Sequence, residues 1–372
     1  MERELLYKKI YDDLIDGILN GTYPSGSKLP SEKELMDQYS VSRITSKKAL
    51  EMLADRNVIV RMPGKGSFVL DSSKVGEEPS FTQPLPIESE KSKKMIGVVL
   101  DSFGTVFGCD IVAGIEHECW SKNYNMVLKC TYGSVDDEAK AIDELVNLGV
   151  DGIILMCAQG EAYNANVMKL SIEKFPMVLI DRELKGLPIP FVGTDNYAAA
   201  RELVDILVDE GHTDICFVSR APLQTSSVAN RFSGYRDALM DHNILTNEDM
   251  WLTDLNEIFD STDDLTDAED LAMKEIEQYV EKHPQVSAYF AVDESMGAMT
   301  YKVLQQMGLG NKKEVVFFDG IEERFNFHPN FTHVMQGQYM IGAVSVKTLC
   351  RIIKGKEVES QNYIPYTIVR KK

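Results

Sequence analysis

The stretch LPSEKELMDQYSVSRITSKKAL, residues 29–50, puts two short helices on either side of a tight turn. Ser31 followed three residues later by Glu34 is a capping box, which predicts that a helix begins there. Residues 40–42 end that helix with a tight turn, and the next helix is predicted over 43–55. Two helices joined in this way are the core of a helix-turn-helix unit.

The flanking segments extend this unit to a small domain over residues 1–70. Upstream, apolar residues recur at the spacing of an amphipathic helix: Leu5, Ile10, Leu14, Ile15, Ile18 and Leu19. Downstream, residues 58–61 and 67–70 are predicted as two strands joined by a turn over 62–66. The predicted core of the third helix consists of Ala49, Leu50 and Leu53. This order of elements predicts an α+β winged helix-turn-helix head.

Basic side chains in this head stand apart from acidic ones. No acidic residue lies between Gln38 and Leu50, where Arg43 and Lys47 are one helical turn apart and project from the same face. The hairpin that contains Lys65 is likewise free of acidic residues. Such patches suit a helix that enters a DNA groove and a wing that contacts phosphates. On charge alone, a solvated helix face and an ordinary hairpin fit equally well.

Four strings favour DNA binding, because together they closely resemble the GntR family of bacterial transcription factors. They are Leu29-Pro30-Ser31-Glu32-Lys33-Glu34-Leu35, Val41-Ser42-Arg43-Ile44-Thr45, Ala49-Leu50 and Gly64-Lys65-Gly66-Ser67-Phe68-Val69. The resemblance covers residues 4–70 and implies a homodimer on a pseudo-palindromic operator. With the charge pattern, it indicates these DNA-contacting residues: Lys33, Arg43, Thr45, Lys47, Gly64 and Lys65.

Composition and charge separate this head from the remainder of the 372 residues. The whole chain has a net charge of −19, but residues 1–70 carry 11 basic and 10 acidic side chains, against 28 and 48 in the rest. No apolar run is long enough to span a membrane, the N-terminus lacks an apolar signal core, and the six cysteines form no CxxC pair. We therefore expect a cytoplasmic protein with reduced thiols, and no membrane partner, cofactor or metal site.

Residues 71–94 are rich in proline and serine and without periodicity, which predicts a linker. Beyond it, continuous apolar runs such as 96–100 and 177–180 alternate with helical patterns such as 135–148. This alternation predicts an α/β body with parallel sheets that helices cover on both faces. Nine or ten such strands over residues 95–372 favour two doubly wound lobes over a single sheet.

The body resembles the sugar-binding core of LacI/GalR repressors and of periplasmic sugar-binding proteins. The resemblance covers residues 95–370 and rests on strings at or just after predicted strands: Leu179-Ile180-Asp181-Arg182, Val192-Gly193-Thr194-Asp195-Asn196, Arg231 with Gly234-Tyr235, Phe290-Ala291-Val292-Asp293-Glu294, Phe317-Phe318-Asp319-Gly320 and Thr332-His333-Val334-Met335-Gln336. It implies a two-lobed periplasmic-binding-protein-like body with three crossovers, which closes on an effector and dimerises.

Parallel α/β lobes bind ligands at the carboxyl ends of their strands, where many of these polar residues are expected. Sugar hydroxyls pair with charged planar groups, and the apolar faces of a sugar stack on aromatic rings. The candidate effector-binding residues are Asp181, Arg182, Arg231, Asp293, Asp319 and Gln336, with Phe107 as the stacking face. In ribose-type sites an asparagine stands at the position of Asp293, which leaves the identity of the sugar open.

We therefore predict a transcriptional repressor, not an enzyme, that a small sugar releases from its operator. The combination of head and body favours L-arabinose or another pentose, with a hexose or a nucleoside as the alternative. An enzyme fused to a DNA-binding head, for instance an aminotransferase, is disfavoured because no lysine follows a buried strand beside phosphate ligands. The DNA-binding head argues against a protein that only binds a ligand or serves as a component of a transport system.

Overall fold

The computed structural model describes residues 6–55, 58–62, 65–70, 94–158, 164–220, 225–253, 265–320 and 331–371, together with Leu255 and Ile258. Contacts divide the chain into two units, Met1–Glu90 and Lys91–Lys372. The predicted linker over 71–94 lies outside the described residues except for Lys94. Within the described part of the chain, no helix is long and apolar enough to cross a bilayer.

The first unit is a winged helix-turn-helix with the predicted order of elements: α1 (Leu6–Leu19), α2 (Glu32–Tyr39), α3 (Arg43–Asp55), β1 (Ile59–Met62) and β2 (Gly66–Val69). The capping box is confirmed, because the Ser31 hydroxyl accepts from the Glu34 N–H at 3.3 Å and the Glu34 carboxylate accepts from the Ser31 N–H at 2.7 Å. Ser40 ends α2 in the left-handed conformation, with φ 52°. The predicted core residues of α3 are buried against α1, and β1 and β2 pair antiparallel.

The amino-terminal lobe of the second unit is built on six parallel strands: β3 (Met95–Leu100), β4 (Asn125–Cys130), β5 (Gly152–Leu155), β6 (Met177–Ile180), β7 (Phe191–Gly193) and β13 (Gln361–Tyr363). Their spatial order is β13-β7-β6-β5-β3-β4. Helices cover both faces: α4 (Cys109–Ser121), α5 (Val135–Leu148), α6 (Ala165–Ile172) and α11 (Gln338–Ile353). Val98 packs in the core under α4 and α11, whereas its neighbour Val99 packs under α5 and α6.

The carboxy-terminal lobe also has six strands: β8 (Ile215–Val218), β9 (Trp251–Leu252), β10 (Ala288–Ala291), β11 (Glu314–Phe318), β12 (Thr332–Met335) and β14 (Thr367–Val369). Their order is β14-β12-β11-β10-β8-β9, and all neighbours pair parallel except β14 with β12. The helices are α7 (Asn196–Asp209), α8 (Ser226–Asp241), α9 (Leu265–Lys282) and α10 (Glu294–Gln306). A single aromatic-rich core fills this lobe.

The chain passes between the two lobes three times, from β7 to α7, from β12 to α11 and from β13 to β14. Helix α11 belongs to the amino-terminal lobe although the strand before it belongs to the other lobe. It packs on α4 with backbone against backbone, because a Cβ atom on Gly114 would collide with the Tyr339 carbonyl and one on Gly342 with the Ile111 carbonyl. Substituting either glycine would push the two helices apart.

The body has twelve strands in the described residues, more than the nine or ten predicted. The additional strands include β9, β13 and β14, which are two or three residues long. Such short segments carry no readable alternation and are held by the neighbouring strand rather than by their own sequence.

Candidate functional site

The first turns of α3 carry three of the predicted DNA-contacting residues. Arg43 begins the helix with 78% of its side chain exposed, and Lys47 is exposed one turn later. Thr45 is half-buried. Its N–H donates to Ser42 Oγ at 3.3 Å, and its hydroxyl lies 2.9 Å from the same oxygen. Ser42 therefore caps α3 and fixes its first turn. In helix-turn-helix proteins, residues at this end of the second helix reach the base edges.

Two glutamates pair with the basic residues of the head. Glu32 accepts hydrogen bonds from Arg43 Nε at 3.1 Å and from Arg61 Nη2 at 2.6 Å. Glu51 Oε1 lies 3.5 Å from Lys47 Nζ and 3.8 Å from Arg61 Nη1. Partial burial opposes ionisation of Glu32, but the hydrogen bonds and charges of the two arginines outweigh burial and lower its pKa. Sequence reasoning missed both partners, although the four-residue spacing of Lys47 and Glu51 signals one of them.

Lys33 lines one concave surface of the head, and Lys65 stands in the turn of the hairpin that borders this surface. An open concavity of about 850 Å³ between α2, α3 and the hairpin is lined by Lys33, Arg43 and Arg61 among others. Lys33 is exposed on α2, and Lys65 is exposed in the hairpin turn, where its N–H donates to the Met62 carbonyl at 3.0 Å. Gly64 lies outside the described residues.

The predicted effector-binding residues gather where strands of both lobes end. In chain order they are Asp181 and Arg182 after β6, Arg231 in α8, Asp293 after β10, Asp319 after β11 and Gln336 after β12. The charges of Asp181 and Asp293 both act on Asp319. Residues of the amino-terminal and carboxy-terminal lobes therefore meet in one cleft, as the strand-end rule predicts.

Asp319 is the most strongly perturbed group in this cleft. It is buried, accepts from Gln336 Nε2 at 2.7 Å, and lies 4.0 Å from Arg231 Nη2. Burial raises its pKa to about 7, with the charges of Asp181 and Asp293 adding to the rise and those of Arg231 and the Gln336 amide opposing it. The other amide atom, Gln336 Oε1, is buried without a hydrogen-bond partner. The cleft thus holds a buried acceptor next to a carboxyl group that titrates near neutrality.

Arg231 is held in one orientation by three neighbours. Its Nε donates to Asn196 Oδ1 and its Nη1 to the Val292 carbonyl, both at 2.7 Å. Its guanidinium carbon, Cζ, lies over the Phe318 ring at 3.9 Å from the ring centre. These contacts leave Nη2 on the side of Asp319, where a ligand hydroxyl can accept from it. Asn196 and Phe318 were not predicted as site residues, although both stand in the strings that carry the family resemblance.

Arg182 mainly ties loops of the amino-terminal lobe together. Its Nη1 donates to the carbonyls of Cys157 at 2.7 Å and Ala158 at 2.9 Å, and its Nη2 to Asp101 Oδ2 at 2.8 Å. Its buried Nε makes no hydrogen bond and lies 3.7 Å from Asp181 Oδ2. Asp101 was missed by sequence reasoning, although it directly follows β3 and the strand-end rule applies to it as well.

The two remaining candidates are less buried. Asp293 is half-buried and caps α10, because its Oδ1 accepts from the Met296 N–H at 2.9 Å. Phe107 is half-buried and packs against the core of the amino-terminal lobe, while Phe103 in the same loop is 44% exposed. The structure therefore offers two aromatic rings beyond β3, of which the sequence indicated only one.

Where the chain passes from β7 to α7, the cleft contains a further polar cavity of about 340 Å³, whose lining includes Asp181, Thr194, Asn196 and Ser226. Thr194 Oγ1 is buried there without a hydrogen-bond partner. The lobes touch at this point, because the Glu183 N–H donates to Ser226 Oγ at 2.7 Å. Carboxylates, an oriented guanidinium and buried unpaired acceptors can bind a polyhydroxyl molecule by hydrogen bonds.

Two family descriptions match this chain. Residues 6–69 match the bacterial regulatory proteins of the gntR family, and residues 96–357 match the periplasmic binding protein domain. The first match covers the winged helix-turn-helix head. The second covers both lobes of the body and amounts to more than half of the chain.

The relatives of this chain are transcription regulators rather than enzymes. Catabolite control protein A of Priestia megaterium is 26% identical over 73% of this chain and 79% of its own length. The arabinose metabolism transcriptional repressor of Geobacillus stearothermophilus is 22% identical over 98% of this chain and 96% of its own. Among solved structures, a complex of the transcriptional regulator CelR with cellobiose superposes with a TM-score of 0.63 at 19% identity, covering 89% of this chain and 91% of the other.

Proposed function

Because the chain belongs to the periplasmic binding protein domain family and begins with a gntR-family head, we propose that this DNA-binding regulator is a repressor which a small sugar releases from its operator. Residues 1–70 would bind DNA, residues 95–372 would bind the effector and dimerise, and residues 71–94 would join these two domains. The protein would meet its operator in the cytoplasm. We propose a pentose as effector, with L-arabinose first, because a relative that matches over 98% of this chain is named for arabinose metabolism.

The buried acceptors around Asp319 carry the sugar part of this proposal. Gln336 Oε1 and the free oxygen of Asp319 accept hydrogen bonds, and Arg231 Nη2 donates one. A sugar hydroxyl both donates and accepts, so a ring of hydroxyls satisfies such a mixed set. A buried acceptor without a partner is costly, and a ligand donor removes that cost. Asp181, Arg182 and Asp293 would complete the contacts, with Phe107 or Phe103 against the apolar face.

The DNA part rests on the concave basic surface of the head. The major groove would be contacted by Arg43, Thr45 and Lys47 of α3. The phosphate backbone of the DNA would be contacted by Lys33 and by the wing residues Gly64 and Lys65. A homodimer would present two heads to a pseudo-palindromic operator. Closure of the lobes on the sugar would change the spacing of the heads and lower operator affinity, with a coupling of about 1–3 kcal/mol.

An aromatic patch on the amino-terminal lobe supports self-association. Trp120 on α4 is 72% exposed and stacks on His117, and Tyr339 and Met340 at the start of α11 are also exposed. A two-fold dimer buries the same patch from both copies. Sedimentation of Trp120→Arg should then show more monomer than the wild type, whereas the exposed Leu148→Arg should not change the distribution. An unaltered dimer in Trp120→Arg would place the interface elsewhere.

The effector is identified by a thermal-shift panel with L-arabinose, D-ribose, D-xylose, D-galactose and a nucleoside. A ligand at 100 times its dissociation constant stabilises the folded state by about 2.7 kcal/mol. The proposal expects one pentose to shift the melting temperature, and the same sugar to weaken binding to an operator selected from random duplexes. A shift only with the hexose or the nucleoside would correct the effector class. A sugar that binds without changing operator affinity would refute the coupling.

A further inference from the structure

The carboxylate of Glu32 joins the recognition helix to the wing. One oxygen accepts from Arg43 Nε on α3 at 3.1 Å, and the other accepts from Arg61 Nη2 on β1 at 2.6 Å. Glu32 itself stands in the first turn of α2. A single side chain therefore connects the three elements that surround the concave basic surface.

This geometry leaves the two terminal Nη groups of Arg43 free to contact a base. The bond to Glu32 uses Nε, so that both Nη groups of Arg43 remain available, and 78% of the side chain is exposed. A guanine is recognised by two parallel hydrogen bonds from an arginine to O6 and N7. An arginine on a flexible stem loses rotamer freedom when it makes such a pair, and a partner that already fixes its direction reduces that loss. Glu32 is such a partner.

The position of Glu32 also carries an electrostatic cost for DNA binding. Its side chain is 20% exposed, and the hydrogen bonds and charges of the two arginines favour its ionised form, because they lower its pKa despite partial burial. A negative charge on the surface that approaches phosphates weakens non-specific attraction. A residue that only strengthened DNA binding would not be acidic at this point.

We propose that Glu32 is a specificity-determining positioning residue, which orients Arg43 for base recognition and ties Arg61 of the wing to it, at the expense of phosphate affinity. The inference rests on the DNA-binding function of the head. It assigns to Glu32 no contact with DNA.

The matched control is Glu51, which carries the same charge on the neighbouring helix. It lies 3.8 Å from Arg61 and 3.5 Å from Lys47, and no contact with Arg43 is seen among the described residues. Glu51→Gln removes a charge from the same surface without releasing Arg43. The comparison of Glu32→Gln with Glu51→Gln therefore separates the loss of charge from the loss of positioning.

The experiment uses the full-length protein and duplexes selected from a random pool. Wild type, Glu32→Gln, Glu51→Gln and Arg43→Ala are each titrated on the selected operator, on single-base variants of it and on unrelated DNA. Arg43→Ala identifies the base pair that Arg43 reads. At that base pair, Glu32→Gln should lose discrimination by roughly 2- to 10-fold, the range for the rotamer freedom of one immobilised side chain, whereas Arg43→Ala should lose more because it removes the whole bidentate contact. Both glutamine variants should bind unrelated DNA about two-fold more tightly.

Two further variants make the outcome decisive. In the Arg43→Ala background, Glu32→Gln should cause no additional loss of discrimination. With Arg43 intact, Glu32→Asp should retain part of the discrimination that Glu32→Gln loses, because aspartate keeps the carboxylate. Unchanged discrimination in Glu32→Gln would overturn the proposal. So would weaker binding to operator and unrelated DNA alike with a lower melting temperature, which indicates a purely structural role. If the wild type enriches no sequence at all, the DNA-binding premise fails instead.

Discussion

Replacing Asp319 by asparagine should stabilise the empty protein at neutral pH. Burial, reinforced by the charges of Asp181 and Asp293, raises the pKa of Asp319 from 3.8 to about 7, although Arg231 and Gln336 act in the opposite direction. Between pH 4 and 7 the folded protein therefore keeps a proton that the unfolded chain has released, so stability falls as pH rises. A pKa difference of about 3 corresponds to about 4 kcal/mol of unfolding free energy.

The assay is urea unfolding followed by tryptophan fluorescence between pH 5 and pH 8. Both tryptophans report on the body, because Trp120 lies on α4 in one lobe and Trp251 on β9 in the other. Asparagine has no charge to bury, so Asp319→Asn should exceed the wild type by about 2 kcal/mol at pH 5 and about 4 kcal/mol at pH 8. Asp143→Asn, on the exposed face of α5, is the control and should show no such pH-dependent gap.

A gap that does not change with pH, or an Asp319→Asn variant less stable than the wild type at pH 8, would refute the reasoning. Either result would mean that Arg231 and Gln336 stabilise the ionised Asp319 carboxylate at least as much as burial opposes it. The same variant should also lose sugar binding, because it replaces a charged acceptor by a neutral amide. Higher stability together with lost binding is the signature of a functional residue.

Three further predictions concern the cleft and the head. If sugar hydroxyls donate to ionised Asp319, calorimetric affinity should fall about tenfold per pH unit below pH 7, and constant affinity down to pH 5.5 would contradict this. Arg231→Lys loses the bond to Asn196 and the stacking on Phe318, so sugar affinity should drop about 10- to 100-fold while operator affinity without sugar stays the same. Lys33→Ala should weaken binding to all duplexes alike and reduce the slope of affinity against salt by about 1, which a salt titration tests.

Local signals in the sequence predicted the head well. The capping box of Ser31 and Glu34, the tight turn after α2 and the buried face of α3 all depend on residues within one helical turn of each other. The pairing of Glu32 with Arg43 and Arg61 could not be predicted in this way. It joins residues 11 and 29 positions apart, and their distance is set by how three elements pack.

The sequence predicted where the cleft lies but not which hydrogen bonds and ion pairs its residues make with each other. The strand-end rule located Asp181, Asp319 and Gln336, because parallel strands bring their carboxyl ends to one edge. Which donors are already used inside the protein depends on side-chain orientation. The guanidinium of Arg182 is a case in point, since two backbone carbonyls and Asp101 occupy its Nη groups, so it serves the scaffold more than the ligand.

Under the proposed function, the acidic pair in the cleft would connect ligand binding to the movement of the lobes. Asp181 follows a strand of the amino-terminal lobe and Asp319 follows a strand of the carboxy-terminal lobe, and each holds a left-handed backbone, with φ 60° and 68°. When both carboxyl groups are ionised, their like charges disfavour close approach in the absence of a ligand. A sugar that donates hydroxyls to both carboxylates replaces repulsion by two hydrogen bonds. Such a sugar would therefore bind the closed arrangement better than the open one, and that difference in affinity is what a ligand needs to shift a conformational equilibrium.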